Sequence, residues 1–157
     1  MKLLRGWPWP LVWPCAVSSS QFWGFGIYSL YMSHSTHLLL VEDDTFLASI
    51  YRTKFEQEGF KVSVAENGED GLEAARKKKP EVILLDILLP HLDGFQVLLE
   101  LKKDKSTSPV PVILLTNLGQ KEDVDKGLAL GAAGYLIKAH CRPSETVLQV
   151  KKILARK

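Results

Sequence analysis

Three runs of mostly apolar residues limit most strongly what this chain can fold into. They occupy residues 37–41, 81–86 and 110–116, and each has the length of a β-strand. A strand that is apolar along its whole length has to be covered on both faces, which is typical of a parallel sheet flanked by helices. We therefore expect these runs to be strands buried within such a sheet.

The segments between these runs complete a regular alternation. Further strands are predicted over residues 61–65 and 133–137, and helices over residues 45–60, 68–79, 95–104, 120–131 and 143–157. In the first helix Phe46, Ile50 and Phe55 recur near helical spacing, and Gly59 is typical of a helix end. Five strand–helix alternations predict an α/β fold, namely a doubly wound five-stranded parallel sheet with right-handed crossovers and helices on both faces.

Polar residues lie at the carboxyl ends of four predicted strands, at the edge where ligands bind in such folds. Glu42 and Asp43 follow the first strand, Asp86 and Thr116 end the third and fourth, and Lys138 follows the fifth. Clustered carboxylates repel one another and need a cation, and oxygen ligands suit Mg²⁺. With an added ammonium and hydroxyl, the set suits transfer of a phosphoryl group onto Asp86.

Asp86 is the member of this set that is hardest to explain structurally. Apolar residues flank it on both sides in VILLDILL, and a buried carboxylate without a partner is costly. By contrast, Thr116 and Lys138 could be ordinary strand-end groups, and we interpret Asp44 as a helix N-cap. Convergence of all these groups at one edge of the sheet makes a functional site the better hypothesis.

Four motifs, in order, resemble the receiver domain of bacterial two-component response regulators, which has the CheY-like, flavodoxin-like fold. They are LLLVEDD, VILLDILLPHLDGF, VILLT and GAAGYLIKA, and the resemblance covers residues 37–157. The second motif is the most specific, because Pro90 and Gly94 follow Asp86 four and eight residues later.

The resemblance implies a phosphoacceptor signalling domain rather than an enzyme, with only self-catalysed phosphotransfer and slow autodephosphorylation. Asp86 would accept the phosphoryl group from a phosphohistidine on a sensor histidine kinase or phosphotransfer protein. The resemblance also implies a Mg²⁺ site formed by Asp43, by Glu42 through water, by Asp86 and by the backbone carbonyl of Leu88.

The resemblance further implies a switch. Thr116 would bond a phosphoryl oxygen, Lys138 would pair with Asp86 and then with the phosphate, and Tyr135 would turn inward as Thr116 moves. A downstream protein would then bind the face formed by residues 119–137, and a phosphorylation-dependent homodimer is a further expectation.

Several residues depart from the pattern of the family. Ala139 follows the lysine where a proline in a cis bond is usual, so we expect a differently shaped loop with a trans bond. Asn117 is larger than the residue that is usual there and is expected to narrow access to the site, and Arg142 occupies a helix N-cap position that Ser, Thr or Asp would suit better. Leu88 lies two residues after Asp86, and Leu118 lies two residues after Thr116. We predict that these apolar side chains screen a phosphoaspartate from water and slow its hydrolysis.

The first 35 residues differ in composition from the rest of the chain. They contain all four tryptophans and, through Lys2 and Arg5, the entire formal charge of +2. Prolines and serines interrupt the apolar residues of this segment. It therefore lacks the continuous run of about 20 apolar residues that a membrane-spanning helix needs. We expect residues 1–35 to be an extension of unknown role, either disordered or upstream of a true start at Met32, and residues 36–157 to be the receiver domain.

The remaining composition favours a cytoplasmic protein without nucleic acid as a partner. Residues 36–157 carry equal numbers of basic and acidic residues, so they lack the basic footprint of a nucleic-acid-binding domain. The two cysteines show neither metal-ligand spacing nor the density of a disulfide framework, which fits a reducing compartment.

Three other classes of protein remain as alternatives to a phosphorylated regulator. A pseudo-receiver would be a protein-binding module that is never phosphorylated, but the complete set of site residues disfavours it. A dehalogenase-type phosphatase would need a second aspartate at the position of Leu88. A flavin-binding module would need a loop after the first strand less acidic than EDDTF. We expect a single-domain regulator, with no further domain after Lys157.

Overall fold

The computed structural model describes residues 35–156, which form one parallel sheet with helices on both faces. The strands are β1 (His37–Val41), β2 (Lys61–Ala65), β3 (Val82–Leu85), β4 (Val112–Thr116) and β5 (Gly134–Ile137). The helices are α1 (Thr45–Gln57), α2 (Gly68–Lys78), α3 (Gly94–Lys103), α4 (Lys121–Ala129) and α5 (Pro143–Leu154). The strand order is β2-β1-β3-β4-β5, and the predicted doubly wound α/β fold is confirmed.

The central strands are apolar along their length because each of their faces packs against helices. Successive side chains of a strand point to opposite faces. Leu38 and Leu40 of β1 therefore pack with buried residues of α1 and α5, whereas Leu39 and Val41 pack with buried residues of α2, α3 and α4. The sheet thus lies between two hydrophobic cores, and its carboxyl edge is where loops and polar groups meet.

Helix α1 forms as predicted but buries a different face. Its core-facing residues are Ala48, Tyr51 and Phe55, whereas Phe46 is 75% exposed and Ile50 is also exposed. Residues separated by three or four positions share one side of a helix, so positions 48, 51 and 55 form one stripe and positions 46 and 50 lie on another. Phe46 and Ile50, which recur near helical spacing with Phe55 in the sequence, therefore do not share its buried face.

The ends of the helices follow the capping chemistry of the sequence. The Asp44 side chain accepts a hydrogen bond from the backbone N–H of Leu47 at 3.0 Å, which confirms Asp44 as the N-cap of α1. Within residues 35–156, no helix combines the length and the apolar character needed to cross a membrane. The expectations for residues 1–34, including a start at Met32, lie outside the described residues.

Candidate functional site

The acidic residues of the site lie where the order of the sheet changes direction. The chain places β2 on one side of β1 and β3 on the other, so the ends of β1 and β3 flank the crevice where α/β sheets bind ligands. The backbone N–H of Asp86 donates to the Val41 carbonyl at 3.0 Å, and that of Glu42 donates to the Ala65 carbonyl at 3.0 Å. Sheet pairing therefore continues into both acidic residues and fixes their backbones.

Lys138 joins the two buried carboxylates of this crevice. Its Nζ lies 2.5 Å from Oδ2 of Asp86 and 2.6 Å from Oε2 of Glu42. All three side chains are almost completely buried, with exposures of 8% for Lys138, 5% for Asp86 and 2% for Glu42. The apolar residues beside Asp86 thus surround an ion pair rather than an unpartnered charge. The pairing offsets the free-energy cost of burying the carboxylate.

Burial and charge act against each other on this cluster. Burial raises the pKa of Glu42, and contact with the Lys138 ammonium partly offsets that effect. Burial alone would lower the pKa of Lys138, but hydrogen bonding and attraction to Asp86 and Glu42 outweigh it, so the pKa is raised. Lys138 is therefore a fixed positive charge beside Asp86 at neutral pH.

The carboxylates also form a group with the composition of a hard-cation site. Glu42, Asp43 and Asp86 each offer one oxygen, and these oxygens lie within 4.8 Å of one another. If all three carboxylates are ionised, one ammonium leaves two negative charges that a divalent cation would balance. Oxygen ligands without sulfur or nitrogen suit Mg²⁺. The donor set therefore fits the metal implied by the sequence, and the exposure of Asp43 leaves one side of the group open to water.

Two further backbone contacts shape the loop after Asp86. The N–H of Leu88 donates to Oδ1 of Asp86 at 3.1 Å, so both carboxylate oxygens of Asp86 have partners. A Cβ atom at Gly94 would lie 2.2 Å from the Asp86 carbonyl oxygen and 2.6 Å from Cα of Ile87. Only glycine allows α3 to begin this close to the segment that carries Asp86.

The fourth and fifth strands bring Thr116 and Tyr135 to the same region. Thr116 is fully buried at the end of β4, and its hydroxyl oxygen accepts the N–H of Leu118 at 3.4 Å. Tyr135 is 2% exposed, and its hydroxyl donates to the Leu118 carbonyl at 3.0 Å. Burial, with smaller contributions from the charges of Asp123 and Asp86, raises the pKa of Tyr135 to about 12. Tyr135 therefore points inward in this structure.

The loop after Lys138 begins with the trans bond that we expected from Ala139. Residues Lys138–His140 form a 3-10 turn. Arg142 is the N-cap of α5 without a capping bond from its side chain, but its backbone N–H donates to Oε2 of Glu145 at 2.8 Å. The side chain of Asn117 is exposed.

Two features of the site had no clear signal in the sequence. The sequence pointed to pairing of Lys138 with Asp86 but not with Glu42. Nothing in the sequence singles out Tyr51, yet it is buried and lies close enough to Lys138 for the ammonium to act on its pKa. Burial raises the pKa of Tyr51. Both relations join residues far apart in the chain, so local patterns could not reveal them.

The order of the strands, the acidic crevice and the buried lysine together define the class of CheY-like signalling domains. The sequence profile of the response regulator receiver domain matches residues 38–150, and the chain belongs to this family. It is therefore a receiver domain of two-component signalling rather than an enzyme in the usual sense.

Individual relatives agree with this assignment. Protein PilH of Pseudomonas aeruginosa is 42% identical over 101 residues, which cover 64% of this chain and 84% of PilH. Transcriptional regulatory protein AfsQ1 of Streptomyces coelicolor is 39% identical over 101 residues, which cover 64% of this chain and 44% of AfsQ1. The receiver domain of the Francisella response regulator 1452 superposes with a TM-score of 0.72 at 31% identity, covering 78% of this chain and 98% of that domain.

The length of these relatives limits what they say about this chain. It spans about half the length of several curated relatives that it matches, between 45% and 58% for four of them. Regulation of transcription, which some of their names state, is therefore a property of those proteins.

Proposed function

We propose that this receiver domain accepts a phosphoryl group on Asp86 from a phosphohistidine of a sensor histidine kinase or phosphotransfer protein, in the presence of Mg²⁺. A change in conformation then carries the signal to a protein partner. The observation that carries the proposal is the contact of 2.5 Å between Lys138 Nζ and Asp86 Oδ2 inside a cluster of three carboxylates. This arrangement combines a nucleophilic carboxylate, a fixed cation and a set of oxygen ligands.

The transfer is balanced by groups of the donor and of this chain. An oxygen of Asp86 forms a bond to phosphorus as the bond between phosphorus and the donor imidazole breaks. The electron pair stays on the imidazole nitrogen, which takes a proton from water. Lys138, and the hydroxyl of Thr116 at the end of β4, would then compensate the added negative charge. Mg²⁺ held by Asp43, Asp86 and the Leu88 carbonyl, and by Glu42 through water, would supply further charge compensation for the phosphoryl oxygens.

The proposal is tested by incubation of the protein with Mg²⁺ and acetyl phosphate, followed by intact-mass measurement. We expect one phosphoryl adduct on the wild type, and none on Asp86→Asn or when EDTA is present. Asp93→Asn is the matched control, because Asp93 lies in the same loop, caps α3, and would be replaced by another good N-cap residue. If the wild type itself forms no adduct, the domain is better described as a pseudo-receiver that binds proteins without phosphorylation.

A protein partner on the face of residues 119–137 would meet a polar surface. The exposed residues of α4 include Lys121, Glu122, Asp125 and Lys126. The exposed large apolar side chains among residues 35–156 lie elsewhere, at positions 46, 50, 88, 99 and 148. We therefore propose that recognition there, by a downstream protein or by a second phosphorylated copy, is dominated by charge pairs and weakens with added salt.

The apolar screen predicted around Asp86 has a measurable consequence for the lifetime of the phosphoaspartate. Leu88 is 54% exposed beside Asp86, and Leu118 is half-buried. Replacement of both by asparagine is expected to admit water and shorten the lifetime about tenfold, which corresponds to about 1.4 kcal/mol in the barrier. The loss of adduct after removal of acetyl phosphate measures this rate.

Leu148→Asn is the control for that measurement, because Leu148 is equally exposed, at 55%, but lies on α5. An unchanged lifetime in the double variant, or an equal change in the control, would contradict the proposed screen.

A further inference from the structure

Gly127 occupies a position where glycine lowers the stability of a helix. It lies within α4 and is buried, yet glycine favours a helix less than any residue except proline. The backbone of Gly127 has no left-handed conformation that would call for glycine. The reason for glycine must therefore be the space that a side chain would occupy.

That space is filled by side chains of the sheet below. A Cβ atom at Gly127 would lie 2.5 Å from Cδ1 of Leu114, and 3.2 and 3.4 Å from ring atoms Cδ2 and Cε2 of Tyr135. Leu114 and Tyr135 are register partners on β4 and β5. Leu114 is fully buried and enclosed by the core, whereas Tyr135 lies on β5, an edge strand of the sheet. The ring of Tyr135 is nevertheless only 2% exposed, so a Cβ atom at position 127 would compete with it for the same space.

The inward ring holds a loop next to the proposed phosphorylation site. The Tyr135 hydroxyl donates to the Leu118 carbonyl at 3.0 Å, and the Leu118 N–H approaches the Thr116 hydroxyl at 3.4 Å. These two contacts link β5 to the start of the loop of residues 117–120. If the ring leaves its place, the Leu118 carbonyl loses this donor and the loop is released.

We propose that Gly127 is a positioning residue whose missing side chain provides the space in which the ring of Tyr135 lies inward. Through Tyr135 it holds Leu118 in place beside Thr116. The relevance of this contact to signalling rests on the proposed function, whereas the contact itself does not.

The test is ¹⁹F NMR of the unphosphorylated full chain labelled with 3-fluorotyrosine. The chain contains four tyrosines, and the signal of Tyr135 is identified by its absence in Tyr135→Phe. In Gly127→Ala we expect the Tyr135 signal to shift toward that of an exposed tyrosine and to gain a larger H₂O/D₂O isotope shift. The signal of Tyr51, which is buried against α5 on the other face of the sheet, should stay unchanged. A Tyr135 signal identical to that of the wild type would overturn the proposal.

Two further variants keep the test decisive. Gly119→Ala is the matched control, because its Cβ would meet only the Ile137 side chain, at 3.2 Å at the closest, and should leave the Tyr135 signal in place. If Gly127→Ala does not fold, the test uses the double variant that combines Leu114→Val with Gly127→Ala. Loss of Cδ1 removes the contact of 2.5 Å, whereas the contacts with the ring of Tyr135 remain. Leu114→Val alone is the reference for this double variant. An inward Tyr135 in that double variant would equally overturn the proposal. Since no step involves phosphotransfer, failure here is distinct from failure to form the adduct on Asp86.

Discussion

Replacement of Lys138 by methionine is expected to lower the free energy of unfolding by about 3 kcal/mol at neutral pH. Methionine keeps most of the apolar stem of the side chain but removes the ammonium that lies 2.5 Å from Asp86 and 2.6 Å from Glu42. Both carboxylates are buried, and removal of one partner from a buried ion pair leaves charge without compensation. The large effect follows from this burial, because exposed ion pairs contribute little.

Urea unfolding with and without Mg²⁺ measures this effect. The added cation should recover more stability in Lys138→Met than it adds to the wild type, because it compensates the charge that the ammonium no longer balances. Lys151→Met is the matched control: Lys151 pairs with Glu58 at 2.8 Å, but both side chains are about one-third exposed, so we expect a loss of about 1 kcal/mol or less. Equal losses in the two variants would show that the buried cluster does not depend on Lys138.

The fold could be predicted from the sequence because its strongest signals are local. The strands at residues 37–41 and 61–65 were predicted with the bounds that the structure shows. Both follow from short local patterns: a strand covered on both faces is apolar at successive positions, as at 37–41, and an alternating strand has every second residue apolar, as at 61–65. The N-cap role of Asp44 was also recognised, since it depends on contacts within four residues.

Relations between distant segments could not be predicted in the same way. The face that α1 buries depends on where the sheet lies, so the helical spacing of Phe46, Ile50 and Phe55 does not reveal that Tyr51 is buried and Phe46 exposed. The pairing of Lys138 with Glu42 joins β5 to β1, which are separated by two strands in the sheet. The need for glycine at position 127 depends on the side chains of Leu114 and Tyr135 that lie beneath it. In each case the determining neighbour is distant in the chain, and no local pattern carries its identity.

Gly94→Ala is expected to cost about 3 kcal/mol of unfolding free energy, at the upper end for overpacking. The added Cβ would lie 2.2 Å from the Asp86 carbonyl oxygen and 2.6 Å from Cα of Ile87. Both are backbone atoms, so no change of rotamer relieves the contact. Either the start of α3 or the end of β3 has to move, and the hydrogen bond of 2.9 Å from the Gly94 N–H to the Ile87 carbonyl would be strained.

Urea unfolding of Gly94→Ala and Gly119→Ala separates this contact from the general effect of adding a methyl group. A Cβ at Gly119 would meet only a side-chain end, so that variant should stay within about 1 kcal/mol of the wild type. The backbone displaced in Gly94→Ala carries Asp86, so its carboxylate should also move relative to Lys138, and slower formation of the phosphoryl adduct should accompany the lower stability. A stable Gly94→Ala with a normal rate of adduct formation would mean that residues 87–93 adjust freely, and that close approach of α3 does not position Asp86.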